Sequence, residues 1–146
     1  MRVLVTGSEG FIGKNLCRFL LKRGIEVEGY DIKNGGSLKS NLNGLDAVIH
    51  LGANSSTTET DIQKIIEQNF EFSCIVYQLC SANNVKFQYA SSASVYGNSA
   101  TVDEDQFCSP LNPSGFSKYM FDCWLLNQKH PYQGFRYFNV YGKGEE

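Results

Sequence analysis

Between a β-rich apolar run, Arg2-Val3-Leu4-Val5-Thr6, and an amphipathic stretch that opens at Phe11, the chain sets three glycines, Gly7, Gly10 and Gly13. Phe11, Ile12, Leu16, Phe19 and Leu20 then recur at helical spacing as far as Arg23-Gly24, so the segment reads as strand, tight turn, helix. Gly7 permits the sharp turn, Gly10 lets the backbone approach a phosphate, and Gly13 lets the helix pack on the strand. Amide N–H groups and the positive end of the helix dipole would meet a pyrophosphate there. A second strand, Glu26 to Asp31, ends on an acid at the spacing that suits a ribose 2′-OH, so these glycines and Asp31 together point to a dinucleotide. The competing reading is a glycine-rich structural turn. Asp31 would repel a 2′-phosphate and favours NAD over NADP, with Lys33 partly offsetting it.

The rest of the chain alternates strand and helix. Asp46 to Leu51 is apolar enough for a strand buried on both faces. Ile62, Ile65, Ile66, Phe70, Cys74, Val76 and Tyr77 keep near the helical period over 61–83. Val85 to Ala90 predicts a strand, Ser114 to His130 a helix, and Phe135 to Phe138 a strand. That alternation predicts a Rossmann-like α/β fold, a doubly wound parallel sheet in one domain over 1–146. One interval is too short. Ile32 to Leu45 holds the turn Asn34-Gly35-Gly36 and a short helix over Ser37 to Leu42, but not a full crossover plus a third strand, so that edge strand is expected to be missing.

Composition excludes several classes. Across 146 residues, 13 Lys and Arg stand against 15 Asp and Glu, and the basic residues are scattered, so no nucleic-acid partner is expected. The apolar runs are strand-sized and the N-terminus lacks a secretory apolar region, so no membrane partner and a cytoplasmic location are expected. Cys17, Cys74, Cys80, Cys108 and Cys123 form no metal-ligand spacing with His50 or His130, so they read as reduced thiols and no metal is expected. His50 ends an apolar strand and reads as core packing; His130 reads as complementing a helix C-terminus.

The G-x-x-G-x-x-G spacing of residues 7–13 resembles that of extended short-chain dehydrogenases and nucleotide-sugar epimerases. Tyr89 to Gly97 resembles the family's strand-end serine motif, and Arg136 to Gly142 the segment that shapes its nicotinamide and sugar-nucleotide site. Gly52-Ala53-Asn54-Ser55-Ser56-Thr57-Thr58-Glu59 adds to the likeness. The resemblance implies NAD or NADP as cofactor, with contacts from Phe11, Ile12, Lys33, Leu51, Gly52, Ala53, Asn69 and Lys118 beside the three glycines and Asp31. It implies a nucleotide-sugar substrate met by Ser55, Ser56 and Asn139.

It also implies the transient oxidation of a sugar carbon, in which a Tyr phenol takes the hydroxyl proton, a Lys four residues on lowers its pKa, and a Ser hydroxyl bonds the reacting oxygen. Ser92 and Lys118 match two of these parts, while Ser114 stands where the family has Tyr. A serine hydroxyl is several units less acidic and too short to span the gap, so epimerase chemistry is expected to be impaired. The alternative is a non-catalytic dinucleotide-binding domain or a shortened remnant. Tyr96 is the other nearby phenol, and the resemblance also lets Lys118 serve as the cofactor's ribose clamp, with a solvated helix lysine as the lesser alternative. The likeness reaches the N-terminal half of such enzymes, without their substrate domain, so exposed apolar surface, a homo-oligomer or a companion chain is expected.

Overall fold

The computed structural model describes residues 1–99, 102–104 and 108–145. Strands β1 (Arg2–Thr6), β2 (Glu26–Tyr30), β3 (Ala47–His50), β4 (Lys86–Ser92) and β5 (Tyr132–Tyr137) form one sheet in the order β2-β1-β3-β4-β5. Each neighbouring pair is parallel. Helices α1 (Phe11–Lys22), α2 (Ile62–Ile65), α3 (Phe72–Asn83) and α4 (Pro113–Leu125) make the connections, and a π-helical stretch, Ile66–Glu71, joins α2 to α3. The Rossmann-like doubly wound reading holds.

The chain leaves β1 for β2 on one side, then returns across β1 to place β3 on the other. Where the winding reverses, between β1 and β3, a crevice opens at the carboxyl ends of the strands. On one face of the sheet, Leu4, Val48, Phe87 and Tyr89 pack with Val76, Tyr77 and Cys80 of α3 and with Phe121 and Leu125 of α4. Each of the larger side chains contributes roughly 2 kcal/mol by leaving water. Phe87 sits among Tyr77, Tyr89 and Phe121, with ring centroids 5.4, 5.8 and 6.2 Å away. Cys17, Cys74, Cys80 and Cys123 lie on helices, and His50 is buried in the core as its strand position implies.

The sheet ends at β2, and no third strand follows it among the described residues. Residues 37–42, however, are not helical. A 3-10 turn forms earlier, at Ile32–Asn34, because the Asp31 carboxylate caps it and Gly35, at φ 67°, ends it. Beyond it the chain runs irregularly and drops Leu38, Leu42 and Leu45 onto the core, leaving a cleft of about 240 Å³ beneath β2.

Most boundaries shift by one or two residues from the sequence pattern, the helix expected over 61–83 is divided by the π-helical stretch, and two ends move further. Helix α4 ends at Leu125, so His130 does not complement its C-terminus; the ring instead hydrogen-bonds the Val85 carbonyl oxygen at 2.6 Å and the His130 carbonyl accepts from Tyr77 Oη. Strand β5 starts at Tyr132, three residues early, because Gly134 passes under the Tyr89 ring, where a Cβ would come within 2.6 Å. Glycine breaks the apolar run in sequence but is what lets the strand approach.

Candidate functional site

The turn after β1 is built on two absent side chains. Gly7 has φ +71°, and a Cβ there would lie 2.8 Å from the Gly52 amide nitrogen; one on Gly13 would be driven into the Gly7 carbonyl oxygen. The loops after β1 and β3 therefore touch through bare backbone. Gly10 is less constrained, since its Cβ would meet only the Gly7 oxygen, at 3.3 Å. Its amide donates to that oxygen at 3.0 Å, which closes the turn.

The first turn of α1 has no acidic residue and its N-cap, Gly10, supplies no side-chain acceptor. The amides at this helix start thus receive no side-chain acceptor from the cap. Helix α4 differs: Asn112 accepts from the Gly115 amide at 2.7 Å and Pro113 opens the helix.

Asp31 is buried, and its two oxygens accept from the amides of Glu9 and Lys33, each at 3.0 Å. The carboxylate thereby ties the glycine turn to the 3-10 turn. Each oxygen keeps a further lone pair for a hydroxyl.

Gly7, Gly10, Phe11, Ile12, Gly13, Asp31, Lys33, Leu51, Gly52, Ala53 and Ser55 all line one cavity of about 580 Å³ in the crevice. Sequence reasoning missed Tyr30, Ile32, Asn54, Glu67, Gln68, Phe72 and Ala90 on the same wall. Glu67 and Gln68 lie on the π-helical stretch, whose local widening carries no sequence signal. Asn69 stands outside the lining: its Oδ1 accepts from the Asn54 amide at 2.6 Å while its Nδ2 donates to the Asn54 carbonyl and to Ser117 Oγ. It shapes the wall from behind. Ser56 closes a small turn on Asn54 Oδ1, and Asn139 is exposed beyond β5.

At the end of β4, Ser92 Oγ accepts from the amide and hydroxyl of Ser94, at 3.1 and 2.8 Å. Its own hydrogen stays free to donate. Lys118 also lies outside the cavity lining, and its ammonium donates to the Ala90 carbonyl at 2.8 Å. Burial pulls Lys118 down to about 8, with the Asp122 carboxylate one turn on acting the other way. Ser114 stands one turn before Lys118.

Three phenols near Ser92 and Lys118, those of Tyr96, Tyr119 and Tyr89, are engaged with other side chains. Tyr96 is buried beneath the Arg136 guanidinium, which lies 5.0 Å from its ring centroid and donates to its hydroxyl at 3.2 Å. Tyr119 packs on the cluster of Val95, Tyr96 and Cys108, and its hydrogen bond with Cys123 pushes its pKa up. Tyr89 is bound to Asp122, and burial with that carboxylate drives its phenol far above its ordinary value.

A model of the NAD dependent epimerase/dehydratase family matches residues 3–146. The chain is 33% identical to ADP-L-glycero-D-manno-heptose-6-epimerase of Fusobacterium nucleatum over 98% of its own length and 54% of that protein. That alignment runs over 178 positions against a chain of 146 residues, so the relative carries segments that this chain does not. The crystal structure of the Helicobacter pylori protein of the same name superposes with a TM-score of 0.84 at 28% identity, covering 97% of this chain and 56% of that one. UDP-glucuronic acid 4-epimerase of Bacillus cereus, in complex with NAD, gives 0.84 at 29% identity, with 97% and 58% covered. The chain spans about half the length of the relatives it matches. Among the described residues no helix is long and apolar enough to cross a membrane.

Proposed function

The chain belongs to the NAD dependent epimerase/dehydratase family, and from that premise we propose that it holds NAD in the crevice between β1 and β3, as the dinucleotide-binding part of a nucleotide-sugar epimerase-type protein. The observation that carries the reading is the bare contact of Gly7 with Gly52, which sets backbone rather than side chains at this part of the wall of a cavity of about 580 Å³. The uncapped start of α1 suits a pyrophosphate, and the free lone pairs of Asp31 suit ribose hydroxyls. The charge of Asp31 supports NAD over NADP.

When bound, the nicotinamide supplies reversible hydride acceptance from a sugar carbon. The residues of this chain orient and exchange protons around it. Lys118, fixed on Ala90 of the cavity wall, would clamp a ribose hydroxyl of the cofactor, and the spare Ser92 hydrogen is available to a sugar oxygen. Ser55, Ser56 and Asn139 are the proposed contacts of a nucleotide sugar, of the class named for the heptose epimerases to which the chain is similar. Proton removal is the weak step, because Ser114 is neither acidic nor long enough to perform it. A second reading, a non-catalytic dinucleotide-binding domain, is favoured by the withdrawal of Tyr96 under Arg136. Exposed Phe135, Phe138 and Tyr141 at and beyond β5 support association with a second copy or a companion chain.

Titration with NAD and NADP while the melting temperature is followed tests the reading. Millimolar NAD at micromolar affinity stabilises by about 4 kcal/mol, which raises Tm by several degrees. NADP should give a smaller rise, and no shift with either overturns the proposal.

A further inference from the structure

Thr6, His50, Asn69, Ser73 and Ser117 are buried to within 2% of full enclosure, and they form one unbroken hydrogen-bond chain. It begins at the cavity wall, where the Gly52 amide donates to Thr6 Oγ1 at 3.1 Å. Thr6 Oγ1 lies 2.6 Å from His50 Nδ1, and His50 Nε2 lies 2.8 Å from Ser73 Oγ. Ser73 Oγ in turn donates to the Asn69 carbonyl, Asn69 Nδ2 to Ser117 Oγ, and Ser117 Oγ to the Ser114 carbonyl.

The directions are fixed by the two ends. Ser73 spends its hydrogen on the Asn69 carbonyl, so it accepts from His50, and Nε2 must carry the proton. Nδ1 is then the acceptor, and the Thr6 hydroxyl donates to it while accepting from Gly52. A leucine or phenylalanine in this place would leave the Thr6 hydroxyl hydrogen without an acceptor and Ser73 Oγ without its donor. Burial, with the Lys118 charge second, lowers His50 to about 3, in keeping with a ring that has no room for a second proton.

We propose that His50 is a positioning residue of the dinucleotide site: as the Nε2–H tautomer it holds the Thr6 hydroxyl against the Gly52 amide, and so sets the Gly7–Gly52 contact. Its Nε2 holds Ser73 of α3, whose hydroxyl donates to the Asn69 carbonyl and so tethers the π-helical stretch that carries Glu67 and Gln68 of the cavity wall. The inference rests on the dinucleotide reading above. A shift of a few tenths of an ångström at Gly52 would close the approach over Gly7, where no Cβ can be accommodated.

Two measurements on the full chain test it. Ring ¹⁵N spectra should show a neutral Nε2–H imidazole unchanged from pH 5 to 9; the Nδ1–H tautomer, or titration within that range, overturns the proposal. The triple variant Thr6→Val/His50→Leu/Ser73→Ala removes the polar run together, leaving no side-chain hydroxyl orphaned. It should fold, weaken NAD binding by roughly tenfold in calorimetry, and lose slow hydrogen exchange at the Gly52 amide. His50→Gln, which keeps an acceptor and a donor, should retain most of the affinity. Parental NAD affinity in the triple variant reduces the run to ordinary core and sinks the idea. Should that variant not fold, the ¹⁵N spectra decide. If the parent chain binds no NAD, the proposed function fails, and Gly52 amide protection in the parent, present or absent, decides His50 separately.

Discussion

Lys118 of α4 and Ala90 of β4 are joined by an ammonium-to-carbonyl hydrogen bond of 2.8 Å, so the lysine is anchored on a strand residue that also walls the large cavity. Anchoring comes at a desolvation cost, visible in a pKa lowered from 10.5 to about 8. The unfolded chain then binds more protons than the folded one between about pH 8 and 10.5, and the stability contributed by this group rises across that window. Cys74 and Cys80, pushed up to about 11 and about 12, act in the opposite sense above pH 9. The comparison is therefore with Lys118→Met, which should exceed the parent in stability below pH 8. Its advantage should shrink by about 3 kcal/mol by pH 10.5 in urea unfolding. A constant difference across that range contradicts the burial of the charge.

Gly13→Ala forces a methyl against the Gly7 carbonyl oxygen, a backbone atom that cannot swing away. It should destabilise the chain by about 3 kcal/mol and abolish NAD binding. Gly10→Ala meets only one contact at 3.3 Å, so it should cost under about 1 kcal/mol while still weakening binding. Denaturant midpoints and NAD titration of the pair separate fold from ligand approach.

Asp31→Ala strips the acceptor from the Glu9 and Lys33 amides and removes the negative charge at the end of β2. A loss of about 1–2 kcal/mol in stability is expected. NAD affinity should fall while NADP affinity falls less or rises, and an unchanged NAD-to-NADP ratio by calorimetry speaks against the assigned ribose contact.

Acid should unfold the parent chain partly through His50. Its folded pKa of about 3 lies below the ordinary 6.5, so its contribution is intact above pH 6.5 and is lost as pH falls toward 3. The window is worth about 5 kcal/mol. The ring faces Thr6 and Ser73 at its nitrogens and Phe72 and Phe87 at its faces, with Lys118 the nearby charge. His50→Gln should flatten the stability profile between pH 6.5 and 4, which circular dichroism during urea titration will show.

Ser114→Tyr restores a phenol one helical turn before Lys118. Oxidation of a nucleotide sugar by the variant, followed as nicotinamide reduction at 340 nm, with none by the parent, would establish that the rest of the site is intact. A variant that binds NAD and remains inert would favour the non-catalytic domain.

Sequence alone determined the local and periodic features of this protein. The β-rich run, the three glycines and the helical spacing after Phe11 specify a strand, turn and helix through nearest-neighbour sterics, and Asp31 follows at a distance set by helix length. The short interval before Asp46 excluded a third strand by chain reach. Tertiary structure decided what depends on partners distant along the chain. Asn69, indistinguishable by pattern from a cavity contact, is turned to the Asn54 backbone because the π-helical stretch redirects it, and Glu67 and Gln68 reach the wall by the same displacement. Tyr96 follows Ser92 closely in sequence, yet Arg136, forty residues on, draws its hydroxyl away. Periodicity records which face of an element is apolar. It cannot record which buried polar groups will satisfy one another, since those pairings arise only once the sheet has brought its helices together.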